Sequence, residues 1–336
     1  KSNTHWLGAF SEEGPGQGLN RAMQATSCVG GRSAWALAAG VFSAGVAVAR
    51  GDDISDLKAM LNATLDRVNA LEAWKAQHIY FDSGHTAWIL TSSSLVLLMS
   101  LPGLALFYGG MAQVKNVLST VFQTFSIACL VSVLWFILGY SLCFGSGTPV
   151  IGGSERFWLL GDEQVIPRIG VLTKHRNAPD IPETVYMMFQ LGFAIITAAI
   201  VCGSFAERMR FRSMLVFIAL WHFVVYCPVT HAVWSYDGFL NQAGVLDFAG
   251  GGVVHICSGF SGLAASIAIG PRAGFGVEEM RPHNVVYSLI GGSLLWVGWF
   301  GFNGGSWLKA DGRAGFAIMT THISAATCAI TYMLFE

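Results

Sequence analysis

A few side chains in this 336-residue sequence could handle a cation, because they stand in or beside stretches almost empty of charge. Asp247 and His255 bound the string Asp-Phe-Ala-Gly-Gly-Gly-Val-Val-His. An ionisable residue at membrane depth is expensive, and by default marks function. A spacing of eight residues is slightly over two helical turns, which predicts that both lie near one face, about 12 Å apart along the axis. At the start of an apolar run, Asp247 is placed to cap a helix or to order a ligand-binding loop. His255 lies deeper, where a charged imidazolium is costly and the neutral form is expected. A structural histidine bonded to a neighbouring helix is the competing reading. The run Gly250-Gly251-Gly252 would let another helix, or a narrow pore, approach the backbone.

A second string, Gly298-Trp299-Phe300-Gly301-Phe302-Asn303-Gly304-Gly305-Ser306, alternates bulky rings with glycines. Packing of small residues against a neighbouring helix explains such a pattern. So does a pore constriction made by Phe302, with the Ser306 hydroxyl one turn away. Trp234 closes another apolar stretch, where a belt residue at the membrane interface is the ordinary reading. His222, His231 and His322 lack comparable surroundings and read as structural. Glu207 beside Arg208 reads as a structural ion pair at a helix end.

The elements that must position these residues follow from charge spacing. Charged residues are 12% of the chain and apolar ones 53%, against about 25% charge in a soluble domain. Charge-free stretches run 83–114, 116–154, 184–206, 213–236, 248–271, 282–308 and 314–335. A helix crosses the hydrocarbon core with about 20 apolar residues. Each stretch therefore predicts one span, and together they predict an all-α, polytopic transmembrane helix bundle in the lipid bilayer. The second holds one helix near 118–144 and then turns glycine-rich. Continuous apolar runs exclude the alternating pattern of a membrane β-barrel. A net charge of −1 leaves no basic surplus for phosphates, so no nucleic acid partner is expected. Lys115, Arg208, Arg210, Arg212, Arg272 and Arg281 cluster in loops of one side, which the positive-inside rule makes cytosolic.

Residues 1–50 form an N-terminal segment in which 33–49 read as a signal-like apolar run ending Ala-Val-Ala. Within 51–84, Ile54, Leu57, Leu61, Thr64, Val68 and Leu71 keep heptad spacing, which predicts an extracellular amphipathic helix able to form a short coiled coil. Asn62-Ala63-Thr64 is a glycosylation sequon. The scattered cysteines show no metal-ligand spacing, so neither a metal nor another cofactor is expected.

Four strings in order carry a resemblance. Pro102 to Met111 with Lys115 to Ser119, Phe205 to Met209, Asp247 to His255, and Gly298 to Ser306 resemble the ammonium transporter (Amt/Mep/Rh) family, across residues 85–336. The resemblance implies eleven transmembrane helices in two inverted repeats, about seven of them present here, assembled as a homotrimer with a pore in each subunit. It implies no enzyme, but a channel for ammonium or ammonia in the plasma membrane. By motif, Trp234 and Ser306 resemble the external recruitment site, Asp247 the acid that orders it, Phe193 and Phe302 the stacked gate, and His255 the first of two pore histidines. The chain stops before the second histidine and the cytosolic tail, so it reads as a C-terminally truncated fragment to which a PII-type regulator is not expected to bind. Two further expectations stand beside transport: an ammonium sensor with little flux, and a non-conducting fragment. Cys257-Ser258 departs from the usual Asn-Ala after this histidine.

Overall fold

The computed structural model describes residues 51–77, 81–159 and 173–336; the signal-like run at 33–49 lies outside the described residues. The chain divides into two units, 1–78 and 79–336. In the first, the heptad-spaced segment is helix α1 (Gly51–Gln77). Its Leu57, Leu61, Leu65 and Val68 are exposed.

Among its described residues the second unit holds seven helices long and apolar enough to cross a membrane: α2 (Ser83–Met111), α3 (Val114–Phe144), α4 (Glu183–Phe205), α5 (Phe211–Gln242), α6 (Gly251–Ile269), α7 (Val285–Gly304) and α8 (Gly312–Phe335). Their starts are written in the sequence. Asp82 caps α2 by accepting the His85 N–H at 2.8 Å, and Asn284 caps α7 by accepting those of Val286 and Tyr287. Asp311 does the same for α8 through the Arg313 N–H. Charge at both rims and none between leaves the spans apolar.

Among the described residues, five spans contain a wide π-helical turn: Met99–Gly103, Trp135–Gly139, His222–Tyr226, Gly251–Ile256 and Phe300–Gly304. Pro102 cannot donate to the ladder, which accounts for the first. The last two carry His255 and Phe302. Wide turns of this kind recur at functional sites.

Helix α4 is buried along nearly its whole length and is the hub, packed by α2, α3 and α6. Helix α7 lies against α2 at backbone contact. A Cβ on Gly291 would stand 2.3 Å from the Phe107 nitrogen, so no larger residue fits there. The segment between α3 and α4 carries the one departure from all-α architecture among the described residues. A two-stranded antiparallel ribbon, β1 (Lys174–His175) and β2 (Ala178–Pro182), pairs Lys174 with Pro182 and His175 with Ala178. It is fastened at its edge by Lys309 Nζ on Asp180 Oδ2 at 2.8 Å. Below it, Arg156 pairs with the fully buried Glu183 at 3.1 Å, and Tyr140 donates its hydroxyl to the same carboxylate.

Candidate functional site

Two phenylalanines from distant parts of the chain meet at the centre of the unit. The rings of Phe193, on α4, and Phe302, in the wide turn of α7, lie 4.5 Å apart between centroids, and both residues are buried. The edge of Phe193 also meets Trp234 at 5.5 Å, nearly perpendicular. Phe302 in turn meets His255 at 6.0 Å. Trp234, Phe193, Phe302 and His255 therefore form a continuous chain of rings in that order. Each contact falls within the range favourable for aromatic pairs.

Asp247 sets both ends of this row. Its Oδ1 accepts the N–H groups of Gly250 and Gly251 at 2.6 and 2.8 Å, and its Oδ2 those of Gly252 and Val253 at 2.9 Å each. One carboxylate thus satisfies four donors at the start of α6 that have no partner within the helix. Its main-chain carbonyl accepts the Trp234 Nε1–H at 2.9 Å, which fixes the indole. The expected face shared by Asp247 and His255 is corrected here. The helix begins at Gly251, and Gly250 has a φ of 94°, a left-handed conformation open to glycine. Asp247 lies in the loop before the helix, not in the helix, so the helical arithmetic fails.

His255 hangs from the first wide turn of α6. A carbonyl can only accept, so the Nδ1 contact with the Gly250 oxygen at 3.1 Å places a proton on Nδ1 and leaves Nε2 as the nitrogen free to meet a further partner. The imidazole lies nearly parallel to Trp299 at 5.9 Å. Ser306, four residues after Phe302, donates its hydroxyl to the Phe302 carbonyl at 2.7 Å. That uses its only proton, so towards any further partner Ser306 is an acceptor. Ser306 and Asp247 line a cleft of about 380 Å³ with Asn177, Asp180, Trp307 and Lys309.

Several positioning residues carry no signal that sequence reasoning used. Asn177 donates its amide to the Trp234 carbonyl at 2.9 Å and to the Tyr186 hydroxyl at 3.2 Å. His175 stacks on Tyr186 at 4.6 Å. Burial, with the Arg156 and Arg176 charges adding to it, pulls the His175 ring down to about 4, so it is neutral at pH 7 despite its bond to the Phe144 carbonyl. Trp299, quoted in its string but given no role there, proves to be the platform under His255. Of the histidines read as structural, His231 bridges the carbonyls of Cys143 and Thr148, His222 stacks on Tyr226, and His322 packs on Trp296.

On the opposite rim the expected Glu207–Arg208 pair is corrected. Glu207 has a φ of 67°, and its carboxylate meets Arg272 at 2.7 Å, the Gln113 N–H at 2.6 Å and the Asn116 amide. Arg208 instead donates to the carbonyls of Ser204 and Gly270. Burial alone would push the Glu207 carboxyl up. The hydrogen bonds from Arg272, Gln113 and Asn116 outweigh that and hold it below its ordinary 4.5. A depressed folded value contributes stability that is present above the unfolded value and lost as pH falls through the folded one. The unfolding midpoint is therefore expected to drop on acidification below about pH 4. Glu207→Gln should flatten that limb in a thermal-shift series, and an unchanged limb would show that the network contributes nothing.

Comparison with known proteins follows the same residues. The model described as Ammonium Transporter Family matches 87–336. An ammonium transporter of Bacillus subtilis is 46% identical over 253 residues, which are 75% of this chain and 60% of that protein. One of Aquifex aeolicus is 40% identical, over 78% of this chain and 59% of its own. Among solved structures, Candida albicans Mep2 superposes with a TM-score of 0.68 at 36% identity, covering 76% of this chain and 55% of that one. A sensor Amt protein superposes with a TM-score of 0.66 at 30% identity, covering 75% and 62%. The chain spans about 60% of the length of the curated relatives it matches.

Proposed function

The chain belongs to the ammonium transporter family and is a multi-pass membrane protein, and on that premise we propose that it carries ammonium or ammonia across its membrane along the row of rings just described. The observation that carries the reading is the order of the rings Trp234, Phe193, Phe302 and His255; in this reading they serve as a cation-binding face, a double apolar barrier and a hydrogen-bond partner.

Each station has a physical task. The Trp234 ring attracts an ammonium ion by about 0.5–2 kcal/mol. Ser306, its proton committed to Phe302, accepts one of the ion's N–H bonds. Asp247 acts at one remove, by holding the start of α6 and the indole. Carrying an intact cation past Phe193 and Phe302 into an apolar path costs on the order of 20 kcal/mol by an idealised Born figure. Giving the proton up to water in the open cleft beside Ser306 and Asp247, so that ammonium and water become ammonia and hydronium, removes most of that penalty. Ammonia then needs only a partner such as His255 Nε2. Potassium has no proton to release, so discrimination arises without a tight cavity. The subunits assemble as a homotrimer in this reading.

The test is methylammonium uptake by cells that lack their own transporters and express the gene encoding this chain. Trp234→Leu removes the cation-binding face and is expected to weaken apparent affinity by about 2- to 30-fold, the equivalent of the ring's attraction. Uptake with unchanged affinity would sink the site. The likeness to a sensor Amt protein favours a second reading, in which occupancy is signalled with little flux. Deleting 51–79 separates the two: a sensor loses signalling, whereas a transporter keeps uptake.

A further inference from the structure

Among the described residues lining the cleft at Ser306, three carry a formal charge: Asp180, Asp247 and Lys309. We propose that Asp180 is a further docking carboxylate for ammonium, and that Lys309 limits affinity by occupying it. The identity of the cation rests on the transport proposed for this chain.

Asp247 presents little charge to the cleft, because its two oxygens already accept four main-chain N–H groups. Asp180, on β2, is different. Its side chain is 42% exposed and meets the ammonium group of Lys309 at 2.8 Å, itself 43% exposed. Lys309 stands in the turn between α7 and α8. Leu308, just before it, has a φ of 58°, a left-handed conformation that leucine seldom adopts. Strain of that kind persists where the surroundings hold a residue to a task. Here it accompanies a lysine that crosses from one turn to the edge of the ribbon.

Chemistry identifies the ligand. The end of a lysine side chain is a primary alkylammonium, with the charge and the three N–H donors of methylammonium. A carboxylate that accepts from Lys309 Nζ at 2.8 Å accepts from a free ammonium ion by the same contacts. A pair this exposed contributes little to folding, so removing the lysine keeps the scaffold and frees the carboxylate. The neighbouring ring is covered likewise. Trp307 lines the same cleft, and the Arg313 guanidinium lies 4.5 Å from the centre of its ring. Nearby, Asp237 faces Arg176 at 3.5 Å. Cations of the chain thus sit on anionic and aromatic groups that would draw an incoming cation, and their fixed charge opposes its approach. If the Lys309–Asp180 pair only fastened the ribbon, its loss would loosen Asn177 and Trp234 and weaken binding. The docking role requires the opposite sign.

Isothermal titration of the detergent-purified full chain with methylammonium chloride at low salt tests this, beside methylammonium uptake in cells that lack their own transporters. Lys309→Gln should tighten Kd by about two- to fivefold, the worth of one exposed ion pair, and lower the KM of uptake by the same factor. The gain should shrink in high salt, which screens exposed charge. Adding Asp180→Asn to Lys309→Gln should remove it. Arg281→Gln makes the same change of charge at the opposite rim, where Arg281 meets Glu279, and should leave Kd at the wild-type value. Lys309→Ser repeats the comparison should Lys309→Gln not accumulate. A wild-type or weaker Kd in Lys309→Gln, or equal tightening in Arg281→Gln, would overturn the docking role and leave transport standing. Tightening in Lys309→Gln with no uptake by the wild type would overturn transport and leave the docking role. Failure of the wild type to bind methylammonium overturns both.

Discussion

Asp247→Ala is expected to lower the unfolding midpoint and abolish methylammonium uptake together. Its carboxylate is the acceptor for the N–H groups of Gly250, Gly251, Gly252 and Val253, all within 2.9 Å. A hydrogen bond to a charged acceptor contributes about 1.5–3 kcal/mol, and the four share one group, so a net loss of about 2–4 kcal/mol follows. The start of α6 then frays. With it go the carbonyl that holds the Trp234 indole and the Gly250 oxygen that orients His255. Asp247→Asn keeps one acceptor oxygen for two of the four donors, and should retain part of both stability and uptake. A thermal ramp on detergent-purified protein, read beside uptake in cells, measures the pair. Wild-type uptake in Asp247→Ala would show that this cap does not order the path.

Arg156→Met has the larger expected effect on stability. Glu183 is wholly buried and Arg156 nearly so, at 0% and 11% side-chain exposure. Removing the guanidinium leaves a buried carboxylate supported by the Tyr140 hydroxyl but without its countercharge. Breaking one side of such a pair costs about 3–5 kcal/mol, whereas replacing both partners by apolar groups is often close to neutral. Arg156→Met should therefore abolish accumulation of folded protein, and adding Glu183→Leu should recover most of it. A thermal midpoint for the single variant within a degree or two of wild type would show the pair to be dispensable.

The spans were legible because exclusion of charge from hydrocarbon acts residue by residue, so a gap in charge is a span wherever it occurs. Three helix starts obey an equally local rule that the reading by charge did not use, since Asp82, Asn284 and Asp311 each cap the residues that follow them. Contacts assembled from separate loops were not legible. Glu207 stands next to Arg208 in sequence, but a left-handed backbone turns it to Arg272, 65 residues away. Asn177 and His175, which brace Trp234 and Tyr186, sit in a polar loop where nothing local distinguishes a brace from a solvated side chain. Phe193 and Phe302 belong to apolar spans in which a ring at a barrier and a ring in a core read alike. Their pairing came from resemblance of motif, not from periodicity.

The wide turns bear on how this chain can change. Each holds one residue more than an α-helical turn, so it shifts the angular phase of everything beyond it by about 100°. Residues on either side of such a turn belong to two rulers, and equal spacing no longer means equal direction. In α6, loss of one glycine from the Gly251–Ile256 turn would leave length and composition almost untouched, yet swing His255 away from Phe302 and Trp299. Single-residue insertions and deletions at these points thus act as rotations. In this chain they are expected to disturb the proposed path without replacing any residue that lines it.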